Sequence, residues 1–463
     1  MLRRSRSSRT VVLGVLIVGL LSLVGGAVIL VHQGGEPIER TISLGATLAP
    51  IPIAPLVDED NGRVFILGSG VGAPGAVSVG ILDGADGRLV RTVPLPIFSL
   101  APLALDRRHN RLIATGNAII ILDVTSGKVL RVLAMETGPL AVDERTGHTF
   151  VAGPDSVNML DAAGNLSSAP PVPAQYPGAI AVDRQRNRVF ILNAGDGTVS
   201  TIDARSGALI GTVATGLTPD VNHHDAERIA VDEQAGTVFA ISSNTSLVAV
   251  LDAHSGRLLR TTRVGQGPGL LAIDEQHGRV VVANALDNSV SVLDARSGAL
   301  VRTVFGGLEP LGLAVDGRTG RAFVAASDGT VLVLDTGNGA LIRAINAGAT
   351  DATDAMDDLS RDIAVDERSG RVFVVSPRRN TVSVLDARSG AILRIVRVGT
   401  SPIGVAVDSA RGRAYVVSQG NPQPAPDRWA WLPGWLRALL PFVPAPPLAP
   451  VNTGSVMVID AAT

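Results

Sequence analysis

Short apolar runs of Val, Ile, Leu and Ala recur along most of the chain, separated by polar turn residues. Runs this short, punctuated by Gly, Asp, Ser and Asn, predict β-strands joined by tight turns. From residue 38 onward they fall into one repeating unit, plainest at 362–399 as DIAVDERSGRVFVVSPRRNTVSVLDARSGAILRIVRVG. Each unit holds four runs, named here strands A (x-A-V-D), B (R-V-F-V-V), C (V-S-V-L-D) and D (A-L-I-R-T-V). Strand A ends in Asp58, Asp106, Asp143, Asp183, Asp232, Asp274, Asp316, Asp366 and Asp408. Strand C ends in Asp83, Asp123, Asp161, Asp203, Asp252, Asp294, Asp335, Asp386 and Asp460, in strict alternation with the first series.

Four strands repeating about every 40 residues are the content of one propeller blade, so the fold class is all-β, a closed β-propeller of four-stranded blades. Nine units exceed the usual four to eight, which leaves seven or eight blades as the alternative if divergent units fail to form blades. The most divergent unit follows Asp161, where NLSSAPPVPAQ replaces strand D and its prolines cannot donate to a ladder. The ninth unit has no strand D of its own. Residues 38–44 (IERTISL) match the strand D pattern and precede the first strand A, so they are expected to complete the last blade and close the ring. A closed ring offers no sheet edge to a second copy, and a monomer is expected.

An uncharged apolar run at 11–31 is long enough as a helix to cross a bilayer. Arg3, Arg4, Arg6 and Arg9 precede it and no base follows until Arg40, which places the N-terminus in the cytoplasm. The expected organisation is a basic tail at 1–10, a transmembrane signal anchor at 11–31, a linker at 32–39 and the propeller at 40–463. The location is then the cell membrane, single-pass, with the C-terminal propeller outside the cytoplasm. A cleaved secretory signal is the alternative, but the run exceeds the usual apolar core of such signals and lacks a clean A-x-A site.

Acidic and basic residues nearly cancel (42 against 40), so no global field draws the chain to nucleic acid. Cysteine is absent, which excludes disulfides, a thiolate nucleophile, a lipid-attachment cysteine and Cys-based metal sites.

The unit GRVFVV…NTVSVLDARSGAILRIVRVGTSPIGVAVD resembles the YVTN-type repeat of bacterial surface-layer and secreted propellers over nearly all of 38–460. RVFVVS (371–376), RAYVVS (413–418) and RVFILN (188–193) stand where the family has its name-giving tetrapeptide. The resemblance implies the fold and an exported location; reactions vary too widely among such propellers to transfer. No Trp-docking motif for a quinone cofactor recurs in the blades, and no cofactor is expected beyond the option of a divalent metal.

Both Asp series sit at strand ends before turns, where a carboxylate accepts backbone N–H groups, so their expected role is architectural. The recurrent Arg279, Arg321, Arg371 and Arg413 are expected to pair with these acids. Departures from the repeat are better functional candidates. Four connections are enlarged, at 68–76, 217–228, 348–362 and 419–454, and all are B-to-C or D-to-A connections, which emerge on one face of the disc. On that face His223, His224, Asp225 and Glu227 offer imidazole and carboxylate ligands. Asp351, Asp354, Asp357, Asp358 and Asp362 form an acidic cluster. His223 and His224 are also the candidate bases of an enzyme reading. The spacings match no zinc signature and no EF-hand loop. The last insert holds Trp429, Trp431 and Trp435 in DRWAWLPGWLRALLPFVPAPP, a candidate partner-docking element or a helix over the channel rather than a membrane belt, because the anchor enters from the opposite face. The expected function is a binding or scaffold module for an extracytoplasmic protein or small molecule. The alternative is a lyase- or hydrolase-type propeller enzyme with its site on the decorated face.

Overall fold

The computed structural model describes residues 40–43, 51–69, 77–97, 103–218, 228–347, 362–420 and 454–461. These form nine four-stranded antiparallel sheets, one per sequence repeat. Blade 6 shows the pattern: Pro268–Asp274, Arg279–Asn284, Ser289–Asp294 and Leu300–Phe305 pair in chain order. All nine units form blades, so the count of nine holds and the seven- or eight-blade alternative does not.

Blade 9 is built from distant parts of the chain. Its strands A to C are Pro402–Asp408, Arg413–Ser418 and Ser455–Asp460, and its outer strand is Arg40–Ser43. The register runs from Arg40 opposite Val458 to Ser43 opposite Ser455. Strand A of blade 1, Ile51–Asp58, packs beside strand A of blade 9 and completes the circle.

Blade 3 carries the divergent unit. Its strand D shrinks to Val172–Pro173, paired only with Val157 and Ser156, with a single further bridge from Leu160 to Leu166. Proline cannot donate to the ladder, so Pro170, Pro171 and Pro173 hold the edge to a stub.

The burial pattern explains why strands B and C read as unbroken apolar runs. Each is covered on both faces by neighbouring blades, so Arg371–Ser376 is buried throughout except at Arg371. Strand D is outermost and half-wet, and Leu300–Phe305 has no buried residue. The core divides into nine clusters, each between consecutive blades. The third strand B residue is a fully buried ring in seven blades: Phe65, Phe150, Phe190, Phe239, Phe323, Phe373 and Tyr415. Ile113 and Val281 take that place in blades 2 and 6. Truncating one such ring to Ala would cost about 3–5 kcal/mol.

Among the described residues no helix is long and apolar enough to cross a membrane. The 11–31 run, with 1–10 and 32–39, lies outside the described residues.

Candidate functional site

Strand direction alternates within each blade, so A-to-B and C-to-D turns share one face and B-to-C and D-to-A connections share the other. The first face is built by the two Asp series. All nine strand A carboxylates are buried. Each accepts a turn N–H, as Asp183 does from Arg186 (2.8 Å) and Asp408 from Arg411 (2.9 Å). Five of the strand C carboxylates do the same with a Ser three residues on, as Asp294 accepts the N–H (2.8 Å) and the hydroxyl (2.7 Å) of Ser297. These bonds hold the carboxyls of Asp123, Asp252, Asp294 and Asp386 below the ordinary range, led by the Ser hydroxyl in each. Arg279, Arg321 and Arg371 pair with the strand C acids Asp294 (3.2 Å), Asp335 (2.8 Å) and Asp386 (3.7 Å). Arg413 instead donates to the Gly84 carbonyl at 3.1 Å. Seventeen of the eighteen aspartates are therefore turn braces, as their positions in the repeat suggest; Asp460 ends the strand whose outer neighbour is Arg40–Ser43.

Four histidines belong to the same architecture. His109 and His277 lean on Asp106 (2.9 Å) and Asp274 (3.0 Å), His148 Nδ1 lies 2.9 Å from the Ala204 carbonyl, and the His254 carbonyl accepts from Arg188.

The candidate residues His223, His224, Asp225, Glu227, Asp351, Asp354, Asp357, Asp358, Trp429, Trp431 and Trp435 lie outside the described residues. Among the described residues no group of three or more His, Asp and Glu is placed to hold a metal ion. Asp362, the last of the acidic cluster, is described. Its Oδ1 accepts the Ile363 N–H at 3.0 Å, and its Oδ2 reaches into the next blade to accept the Val405 N–H at 2.9 Å. Burial pushes its carboxyl up, and those two N–H groups oppose the shift only in part. Asp362 thus braces blade 8 against blade 9.

The decorated face carries one feature that periodicity did not single out. At the same end of blade 6, Leu286 is 74 % exposed and Phe305 69 % exposed, with Leu308 (53 %) in the connection to blade 7. Leu286 covers the Gly267 turn, Phe305 is paired with Ser289 at the top of its strand, and the Leu308 N–H donates to Asp328. The signal is visible by alignment of the repeats. Blade 6 has Ala-Leu-Asp-Asn at 285–288 where blade 4 has Ala-Gly-Asp-Gly at 194–197, and strand D ends in Phe305 where other blades end in Ala214, Arg263, Asn346 or Arg397. A large exposed aromatic and two leucines on one face are suited to docking a partner.

No curated protein sequence matches the chain. Among solved structures, dihydro-heme d1 dehydrogenase NirN in complex with DHE is 15 % identical with a TM-score of 0.52, over 75 % of this chain and 76 % of that one. BamB from Moraxella catarrhalis is 18 % identical with a TM-score of 0.49, over 75 % of this chain and 97 % of that one. The likeness to the dehydrogenase speaks to fold alone. A family model described as outer membrane protein assembly factor BamB matches residues 195–426, half of the chain and blades 5 to 8 in full. The chain belongs to that family of β-propellers.

Proposed function

We propose that this chain is a membrane-anchored, extracytoplasmic scaffold that docks a protein partner on the decorated face of its propeller. The observation that carries the reading is the exposed trio Leu286, Phe305 and Leu308, set on a face whose connections vary in length while the opposite face repeats the same braced turns. The family's description as an outer membrane protein assembly factor supports a protein as the partner. The apolar run at 11–31 and its flanking arginines support the anchor. The sequence that holds Trp429, Trp431 and Trp435 lies between strands B and C of blade 9, whose described ends, Ser418 and Ser455, open on that face. The enzyme reading rests on His223 and His224, which lie outside the described residues.

Two measurements test this. Protease added outside intact cells whose outer barrier is permeabilised should digest the propeller while the protein stays with the membrane fraction; a soluble cytoplasmic protein would overturn the anchor. Site-specific photo-crosslinking from position 305 should trap one discrete partner, and Leu286→Asp with Leu308→Asp should abolish the adduct without changing the melting temperature. An adduct that survives the double variant would move the docking site elsewhere.

A further inference from the structure

The nine strand A aspartates are not equivalent. In each A-to-B turn one carboxylate oxygen takes the backbone N–H and the other looks towards the gap before the next blade. Side chains three residues on serve that second oxygen: Asn61 for Asp58 (2.8 Å), Thr146 for Asp143 (2.8 Å), Thr319 for Asp316 (2.7 Å) and Ser369 for Asp366 (2.6 Å). Blades 4 and 9 use an arginine. Arg186 Nη1 donates to Asp183 Oδ2 (3.0 Å) and across the gap to the Glu233 carbonyl (2.9 Å). Arg411 Nη1 donates in the same way to Asp408 Oδ2 (2.9 Å) and to the Glu59 carbonyl (2.8 Å). A guanidinium bridging a buried carboxylate and a backbone carbonyl of the next blade is thus a motif that this chain builds three times, since Arg111 of blade 2 donates to Asp106 Oδ2 and to the Gly147 carbonyl (2.7 Å).

Blade 5 breaks the rule. The residue three after Asp232 is Ala235, whose N–H donates to Asp232 Oδ1 at 2.7 Å and whose methyl can serve nothing else. Asp232 is 1 % exposed, and its Oδ2 has no hydrogen-bond partner among the described residues. A buried carboxylate oxygen without a donor is strongly disfavoured. The gap beside it is a cavity of about 280 Å³ lined by Asp232, Ala235 and Glu275, the residue that corresponds to Glu233 and Glu59. The room is more than a guanidinium needs. A Cβ built on Gly236 or Gly62 meets the guanidinium of Arg186 (2.9 Å) or Arg411 (2.6 Å), whereas one built on the corresponding Gly278 meets nothing within 4 Å. The charges facing the cavity are Asp232, Glu275 and Asp294 against Arg279 and Arg296. Arg279 is already committed to Asp294 (3.2 Å) and to the Gly337 carbonyl (3.0 Å), and Arg296 is exposed. The Glu275 carboxyl is pushed up by desolvation and by the neighbouring Asp232 and Glu233 charges, which marks the gap as short of positive charge.

We propose that the gap between blades 5 and 6 is a receptor for a guanidinium group, held between Asp232 Oδ2 and the Glu275 carbonyl as Arg186 and Arg411 are held in their own gaps. The site lies on the face opposite the one assigned to partner docking and stands or falls independently of it. Its occupant is either an arginine side chain presented by a polypeptide or a small free guanidinium compound.

The full chain should be titrated calorimetrically with agmatine and with the blocked tripeptide acetyl-Gly-Arg-Gly-amide. Saturable one-to-one binding of at least one probe is expected. Tighter binding of the tripeptide by tenfold or more assigns the site to a polypeptide arginine, and equal or tighter binding of agmatine to a free compound. Ala235→Arg supplies the missing side chain from within; it should abolish binding of both probes and raise the melting temperature. Asp232→Asn should weaken binding at least tenfold, and if it fails to fold, Ala235→Arg alone decides. Absence of saturable binding to the wild-type chain, or binding undiminished in Ala235→Arg, would overturn the proposal.

Discussion

The Tyr415 hydroxyl donates a 2.5 Å hydrogen bond to the backbone carbonyl of Gly84, 331 residues earlier in the chain. It spans the seam between blades 9 and 1, where Tyr415 packs against Val57, Val64, Ile66 and Leu82. Burial pushes the phenol far up, so it stays a neutral donor at any working pH. Arg411 and the Ser409 N–H, both of blade 9, bond to Glu59 of blade 1 across the same seam. Tyr415→Phe restores the ring found in six other blades and removes only the hydroxyl. It should lower unfolding free energy by about 1 kcal/mol, whereas Tyr415→Ala should lower it by about 3–5 kcal/mol. Urea titration of both variants measures the difference.

Thr41 lies opposite Met457 in the closing pair. The chain contains no cysteine, so Thr41→Cys combined with Met457→Cys creates a single possible disulfide. Cross-strand partners lie within disulfide reach, so the bond should form on mild oxidation and shift mobility on non-reducing gels. It should stabilise the ring by about 2–4 kcal/mol, a gain that reduction removes. Failure of the two thiols to couple would contradict the register of the last blade.

Asp362 predicts an unusual pH dependence. Its carboxyl is raised in the folded chain, so its favourable contribution is full below the ordinary carboxylate value and is lost as pH rises through the folded one. Asp362→Asn cannot ionise. The stability of the variant relative to wild type should therefore increase as pH is raised from about 4 towards neutrality. A difference that stays flat over that window would show that Asp362 does not titrate there.

The strand C aspartates act in the opposite sense. Asp83, Asp123, Asp161, Asp203, Asp252, Asp294 and Asp386 are all lowered, so what they contribute is present above the ordinary carboxylate value and is lost as pH falls through their folded values. Seven such groups outweigh the raised Asp362 and Glu275, and the whole propeller should lose stability steeply below about pH 4. Replacing Ser126, Ser255, Ser297 and Ser389 by Ala removes the hydroxyl that leads the shift in four of them and should make the acid transition shallower.

The fold was legible because its information is periodic. Two aspartates and four apolar runs, repeated nine times, specify blade content, turn chemistry and, through 38–44, the pairing of the last blade. The same periodicity hid what is individual. Asp232 looks identical to its eight counterparts until the residue three places on is compared, and Ala235 differs from Arg186 or Arg411 only in what it fails to donate. The arginines that begin strand B could be matched to acids but not to one series. The geometry gives Arg279, Arg321 and Arg371 to strand C, because strand A is served from within its own turn. Leu286 and Phe305 stand out from the other repeats only on alignment, and their exposure depends on which edge of the blade a residue tops. The stretches holding His223, Asp354 and Trp431 have no counterparts in the other repeats, so pattern alone assigns them no neighbours.

The composition of blade 9 also sets a timetable. Arg40–Ser43 leaves the ribosome early and has no partner until Ser455–Asp460 follows more than 400 residues later. Eight blades can collapse locally as they emerge, but the circle is completed only by a contact of very high sequence separation, the kind that forms last and slowly. Throughout that interval 40–43 is an unpaired strand, and at its end the outer edge of Ser455–Asp460 is a second one, each open to illegitimate pairing with another chain. Ring completion, rather than blade formation, is therefore the step at which a chaperone would change the yield of this protein.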